Sequence, residues 1–295
     1  MGKEGKTESG ILNRWLRVLL GIFVMFSFSL LSYLVNAVAG HRLSGISNAG
    51  MRLILGGVWL AAAAVVVIVR RQDPLKAFNI LTVKSPMQWW ALPVNCFLGF
   101  LAGASLNRVI TVLVAWIPFP ESWINSNAES VETVSTGNPV VVILSVGIMA
   151  PILEELAFRG KGFYYFEKAA GGLRSASVIA VAATSLLFAL AHGNILQGLY
   201  AFLCGILFAV IMKSSGSIVP GVFAHSGFNL ANLLFYVLYS AKPEMDATLA
   251  AVCFALLPVS VAAILTVGRM IRGREDEEEQ PESIYINDPD EEERR

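Results

Sequence analysis

The run PVVVILSVGIMAPILEELAF, residues 139–158, is long and apolar enough to cross a bilayer, yet it holds two adjacent carboxylates. A membrane-spanning helix needs about 17–25 mostly apolar residues, and a charge at its centre costs about 2.5–3.5 kcal/mol on insertion scales. Glu154 and Glu155 therefore need polar partners inside the protein. Arg159 follows Glu155 by one helical turn, with the acid first, which is the favoured order for an ion pair. Glu154 lies about 100° further round the helix and needs a partner from another helix.

The apolar character of this run extends over most of the chain. Of its 295 residues 55% are hydrophobic and only 15% charged, whereas soluble domains carry about 25% charged residues. We therefore predict an all-α, polytopic integral membrane bundle of about eight transmembrane helices. The predicted spans are residues 15–38, 51–69, 91–116, 139–158, 176–192, 195–212, 217–239 and 247–268. The three cysteines all fall in apolar runs, and we interpret them as core residues.

Basic residues in the connecting segments predict the orientation of these spans. With the N-terminus inside, the inside segments carry fifteen Lys and Arg and the outside loops three. Positive charge is enriched in cytoplasmic loops, so we expect a multi-pass protein of the cell membrane with both termini cytoplasmic. The long outside loop, 117–138, has three glutamates, no Lys or Arg, and turn-rich Pro-Phe-Pro and Gly-Asn-Pro sequences.

The sequence divides into four predicted regions. Residues 1–138 form an N-terminal three-helix membrane region, 139–240 a catalytic core, and 241–272 the final transmembrane helix. Residues 273–295 hold eleven acidic residues against three arginines. Such dense like charge predicts a disordered tail, on the cytoplasmic side in this topology.

The spans that follow Glu155 contain further polar residues at helical spacing. Phe188 precedes His192 by four residues, so an aromatic ring is expected beside that imidazole. His225 and Asn229 are also four residues apart and share one face of the seventh predicted span. These pairs follow one another on successive polar-bearing helices, which is why we interpret them as one site.

Helix lengths and side-chain chemistry indicate what that site does. A turn at 171–172 lies 17 residues after Glu154 and 20 before His192, so an antiparallel hairpin places them at similar depth. A carboxylate and an imidazole in a dry cavity can hold a water and take its proton. A second imidazole with an amide, here His225 and Asn229, can donate hydrogen bonds to a developing oxyanion. Together they suit hydrolysis of a peptide bond.

The same residue types also fit a metal site. His, His and Glu form a common set of catalytic zinc ligands, and the chain offers Glu154, His192 and His225. No cofactor is certain from the sequence, and zinc stays possible.

Three motifs resemble those of the CPBP family, the CAAX proteases and bacteriocin-processing enzymes: EELAFR (154–159), FALAH (188–192) and HSGFN (225–229). This family includes the type II CAAX prenyl endopeptidases, the Ras-converting-enzyme group. The resemblance covers roughly residues 139–240. It implies an intramembrane endopeptidase with a cavity reached from the cytoplasmic side.

The resemblance also implies a role for each site residue. The predicted catalytic residues are Glu154 as general base, helped by His192, with His225 and Asn229 stabilising the oxyanion. The predicted site-organising residues are Glu155, Arg159 and Phe188. The expected partners are membrane lipid and a peptide or lipoprotein substrate near the cytoplasmic leaflet, with no nucleic acid.

Two functions outside proteolysis compete with this interpretation. One is a non-catalytic membrane immunity or scaffold protein on the same fold. The other is a transporter or proton pathway, which intramembrane Glu and His also mark, although the inverted repeats expected of transporters do not occur in the sequence. Other intramembrane protease classes fit worse, since the chain contains no His-Glu-x-x-His, Gly-x-Ser-Gly or Gly-x-Gly-Asp motif.

Overall fold

The computed structural model describes residues 4–39, 46–71, 86–171, 173, 175–241 and 246–278. Within these ranges the regular structure is helical throughout. The helices are α1 (Glu4–Ala39), α2 (Asn48–Val69), α3 (Pro86–Trp116), α4 (Glu121–Ser135), α5 (Pro139–Ala169), α6 (Ala176–Ala191), α7 (Ile195–Ser215), α8 (Val219–Ala241) and α9 (Asp246–Glu278).

Each of the eight predicted spans is a helix. Among the described residues six helices are long and apolar enough to cross a membrane, namely α1, α2, α3, α5, α7 and α9. Helix α6 is apolar but has only 16 residues, and α8 covers the seventh predicted span with 23. Large apolar side chains such as Val69, Trp90 and Leu190 are exposed, as expected of a surface that meets lipid. The prediction of an all-α polytopic membrane bundle is confirmed.

Helix α7 runs through the main core of the bundle. Its residues Cys204, Phe208 and Ile211 are buried and pack against Ala224 of α8 and Ile264 of α9. Cys96 and Cys253 are buried as well, so the prediction that the three cysteines are core residues is confirmed.

Helices α3 and α8 pack with their backbones almost in contact. A Cβ added at Gly103 would lie 1.7 Å from the carbonyl oxygen of Ala224, and one at Gly227 would lie 2.3 Å from that of Phe100. Small residues allow such approach between membrane helices. Because backbone meets backbone here, α3 fixes the height of α8, and therefore of His225.

A short helix lies inside the loop that was predicted to be turn-rich. Helix α4 is polar and exposed, and none of its residues is buried. The turns predicted at 118–120 and 137–139 are present, and they mark the two ends of this helix. Hydrogen bonds attach α4 to both of its neighbours: Tyr200 Oη donates to Asn127 Oδ1 (3.0 Å), and Asn48 Nδ2 donates to the Thr133 carbonyl (3.3 Å). Helix α4 thus connects the N-terminal parts of α2 and α7.

The last helix continues past residue 273, where the sequence predicts the start of a disordered tail. Helix α9 ends at Glu278, so the backbone of residues 273–278 is helical. The rest of the predicted tail, 279–295, lies outside the described residues.

Replacing Gly103 by Ala tests the close contact between α3 and α8. The added methyl group meets backbone rather than a side chain that can move, so the free energy of unfolding should fall by at least about 1–3 kcal/mol. Gly57→Ala is the matched control, because a Cβ there has nothing within 4 Å. Thermal unfolding in detergent measures both variants. Equal melting temperatures of the two variants would contradict the close contact between α3 and α8.

Candidate active site

Two π-helical segments of α5, Ile143–Met149 and Leu156–Gly162, flank the turn that carries the two glutamates. Proline lacks an N–H and its ring clashes with the preceding turn, and Pro151 lies just after the first segment. The N–H of Ala150 reaches back five residues to the carbonyl of Ser145. In the same register the backbone nitrogen of residue 151 would donate to the carbonyl oxygen of Val146, but Pro151 has no N–H.

Asn229 of α8 supplies the missing donor. Its Nδ2 donates to the carbonyl oxygen of Val146 at 2.9 Å. One of the two amide hydrogens therefore ties α8 to α5, and the other remains for a second acceptor. The structure thus gives Asn229 a positioning contact that sequence spacing alone does not predict.

The pairing predicted between Glu155 and Arg159 is present. Arg159 Nη1 lies 3.1 Å from Glu155 Oε1, and both side chains are at most 1% exposed. The guanidinium carbon also lies 4.5 Å from the ring centroid of Phe188, a favourable cation–π distance. A buried charge is tolerated best when it is paired, and Glu155 supplies the charge that opposes Arg159.

His225 connects the two adjacent glutamates. Its Nδ1 lies 3.1 Å from Glu155 Oε1, and its Nε2 lies 3.7 Å from Glu154 Oε2. Glu155 Oε1 also accepts from Arg159 Nη1, and an accepting carboxylate oxygen bonds to Nδ1 only when Nδ1 carries the hydrogen. A carboxylate that fixes the tautomer and direction of an imidazole is a recurrent catalytic arrangement.

Aromatic rings hold His225 in this position. Phe208 stacks on the imidazole, with centroids 4.9 Å apart and planes at 21°, and Phe188 packs edge-on at 5.6 Å. Phe188 was predicted to organise the site, whereas Phe208 was not identified. The sequence around Phe208 holds no polar residue that would have marked it.

His192 ends helix α6 and is held by its own helix. Its Nδ1 lies 2.7 Å from the carbonyl oxygen of Phe188. A carbonyl can only accept, so Nδ1 bears the hydrogen and the neutral ring has a lone pair on Nε2. The Phe188 ring packs edge-on against the imidazole at 4.8 Å, where the sequence predicted an aromatic neighbour.

A cavity of about 1120 Å³ brings the predicted catalytic residues together. Glu154, His192, His225 and Asn229 all line it. The side chain of Glu154 is 30% exposed, against 1% for Glu155, so only the first of the adjacent carboxylates is open to water. The partner of Glu154 comes from another helix, as expected, and it is His225 of α8. No hydrogen bond joins Glu154 to His192 across the cavity.

The described side chains do not form a ligand set for zinc. Among them no three His, Cys, Asp or Glu groups converge closely enough to hold one ion. Glu154, His192 and His225 border one cavity without forming such a set.

Residues 136–231 match the family model of the type II CAAX prenyl endopeptidases described as Rce1-like. This part of the chain belongs to the Rce1-like family. The matched segment of this Rce1-like core includes all seven predicted site residues, so the recognition made from the three motifs is confirmed. No curated protein and no solved structure matches the chain.

The hydrogen bond from Asn229 to Val146 in the Rce1-like core can be tested by a double-mutant cycle. Asn229→Ala leaves a carbonyl without its partner, so the free energy of unfolding should fall by about 1–3 kcal/mol. Pro151→Ala restores a backbone N–H at that carbonyl, so the same change should cost about 1 kcal/mol less in that background. Denaturant unfolding in detergent measures the four proteins. Strict additivity of the two substitutions would contradict this explanation of the contact.

Proposed function

We propose that the protein is an intramembrane endopeptidase that hydrolyses a peptide bond with water activated by Glu154 and His192. The observation that supports this most is the meeting of both side chains with His225 and Asn229 around one cavity inside a membrane bundle. Membership of the Rce1-like family, whose members are typically hydrolases, agrees with it.

Activation of water is assigned to the two groups whose acceptor atoms face the cavity. Glu154 offers a carboxylate open to solvent, and His192 offers the lone pair of Nε2 because its Nδ1 is engaged by Phe188. A water held between them loses a proton to Glu154 as its oxygen bonds to the substrate carbonyl carbon. General-base assistance of this kind contributes about 10²–10⁴-fold to the rate.

Stabilisation of the resulting oxyanion is assigned to α8. Glu155 accepts from Nδ1 of His225 and so holds the ring with Nε2 toward Glu154 and the cavity, where a hydrogen on Nε2 would be a donor to the oxyanion. The second amide hydrogen of Asn229 is the other donor. When the tetrahedral intermediate collapses, the carbon–nitrogen bond breaks and Glu154 returns its proton to the leaving amine. Fixed donors aimed at a developing charge lower the barrier most in a water-poor site.

Cleavage by reconstituted protein tests the role of Glu154. In liposomes with a peptide library, Glu154→Gln should lower the cleavage rate by about 10²–10⁴-fold, because glutamine keeps the shape but cannot take a proton. Glu132→Gln is the matched control, since Glu132 is an exposed carboxylate of α4 that does not line the cavity. Wild-type cleavage by Glu154→Gln would exclude this function.

We infer the side from which substrate enters from the position of the cavity. Its lining extends to Asn48, to Gly137 and, in α4, to Ser130, Val131, Thr133, Val134 and Ser135. If the termini are cytoplasmic, as the Lys and Arg distribution predicts, this end of the bundle lies outside the cell. Substrate that enters at this end would then not come from the cytoplasmic leaflet, which is where the family resemblance places it. With fifteen basic residues against three, we keep the termini cytoplasmic and assign substrate entry to the opposite leaflet.

Labelling of single cysteines in intact expressing cells tests this orientation. A membrane-impermeant maleimide should react with Ser135→Cys, which is exposed at the cavity end, and spare Arg70→Cys at the opposite end of α2. The three native cysteines are buried and provide a low background. Labelling of Arg70→Cys alone would reverse the orientation and restore access from the cytoplasmic leaflet.

A further inference from the structure

Helix α4 covers one end of the catalytic cavity without being part of the packed core. None of its fifteen residues is buried, although five of them line the cavity: Ser130, Val131, Thr133, Val134 and Ser135. Its half-buried positions recur at helical spacing, at Trp123, Asn127, Ser130 and Val134. One face of α4 is therefore turned toward the bundle while the rest stays exposed, and the proposed reaction gives this helix no task.

The attachment of α4 to the bundle is polar. Among the described residues, three side-chain hydrogen bonds join it to other helices. Two of them come from Tyr200 of α7 and Asn48 of α2, and the third runs from Asn194 Nδ2 to Ser130 Oγ at 3.2 Å. Water competes for such bonds, so each contributes little net stability, and α4 buries no apolar side chain that would add to it. Elements with few buried apolar contacts open at a low cost in free energy.

The chain on either side of α4 allows the helix to move separately from its neighbours. Pro118 and Pro120 precede it, and proline prevents α3 from continuing into α4 as one rigid helix. Gly137 follows it with φ of +119°, a conformation that is open to glycine and strained for other residues. Hinges of mobile segments are a few positions of this kind at the ends of an element.

Asn194 connects α4 to the turn that carries His192. It caps the N-terminus of α7, where its Oδ1 accepts from the backbone N–H of Gln197 at 2.7 Å, while its Nδ2 donates to Ser130 of α4. Only Gly193, with φ of +74°, separates it from His192. The residue that α4 contacts therefore belongs to the same short turn as a proposed catalytic imidazole.

We propose that α4 is a lid that opens to admit a peptide into the cavity and closes over it before hydrolysis. This inference rests on the proposed peptidase function and on substrate entry at the α4 end of the bundle, and it adds a conformational step to both. Closure of a lid shields the reaction from bulk water and commits the bound substrate. Here closure also restores the contact of α4 with the turn beside His192.

Labelling of a cysteine inside the cavity tests the lid without turnover. Ala150 lines the cavity, and Ala150→Cys reports on access to it in lipid nanodiscs, where both faces of the membrane meet the reagent. Asn127→Ala with Ser130→Ala should raise the rate of maleimide labelling about 10-fold, because two bonds that hold α4 closed are lost. Asn125→Ala with Ser126→Ala, on the exposed face of the same helix, is the matched control. Equal labelling rates in the two backgrounds would overturn the lid.

A reversible cross-link tests whether α4 must open for cleavage. Ser130→Cys with Asn194→Cys, joined by a short bis-methanethiosulfonate, locks α4 to the turn before α7. Relative to the same variant before cross-linking, cleavage of a library peptide in liposomes should be lost, and a reductant should restore it. Ser177→Cys with Lys213→Cys is the matched control pair, since these side chains lie 3.1 Å apart at the opposite end of α6 and α7, outside the cavity lining. Continued cleavage by the locked protein, or an equal loss in the control pair, would exclude an opening step.

Peptide binding separates a lid from a distortion of the site. In the Glu154→Gln background, cross-linking α4 before a labelled library peptide is added should slow association, whereas cross-linking after the peptide has bound should slow its release. Faster release from the locked protein would overturn the inference, because it would mean that the cross-link damages the site. Absence of cleavage by wild type would overturn the peptidase proposal instead, since the labelling of Ala150→Cys measures the lid without any substrate.

Discussion

The buried ion pair between Arg159 and Glu155 is the constraint on which the rest of this site depends. Neither side chain is more than 1% exposed, and removing one partner of such a pair costs about 3–5 kcal/mol because the other charge is left buried. Phe188 of α6, Phe208 of α7 and His225 of α8 all contact this pair. Four helices are therefore positioned by one interaction, and the imidazole of His225 is fixed by it directly.

Because the two glutamates are adjacent in the sequence, their side chains point in different directions and have different roles. Successive residues of a helix point about 100° apart, so when Glu155 is turned inward to Arg159, Glu154 is turned toward the cavity. His225 lies between them, with one ring nitrogen on each. The same pair of residues thus supplies a sealed carboxylate that orients an imidazole and an open one that can exchange protons with water.

Features that depend on local spacing could be predicted from the sequence. The eight spans follow from apolar length, and the contacts of Glu155 with Arg159 and of Phe188 with His192 follow from helical periodicity. The order of the motifs and the length of the predicted hairpin also suggested that the site residues meet around one cavity. Contacts set by tertiary packing could not be predicted, such as Phe208 on His225 and the pairing of Glu154 with His225 rather than His192.

Two further features needed three-dimensional information for different physical reasons. The contact of Asn229 with Val146 exists because the helix widens ahead of Pro151, and the sequence does not say which carbonyl loses its partner. Helix α4 is short and polar, so its pattern resembles a loop, and its hydrogen bonds to α2 and α7 hold it in place.

The separation of roles between the two glutamates is tested most directly by measuring cleavage and thermal stability together for Glu154→Gln and Glu155→Gln. We expect Glu154→Gln to melt like wild type and to cleave about 10²–10⁴-fold more slowly. Glu155→Gln should melt at a clearly lower temperature, because it removes the charge that compensates Arg159. A destabilised Glu154→Gln beside a stable, active Glu155→Gln would contradict this separation of roles.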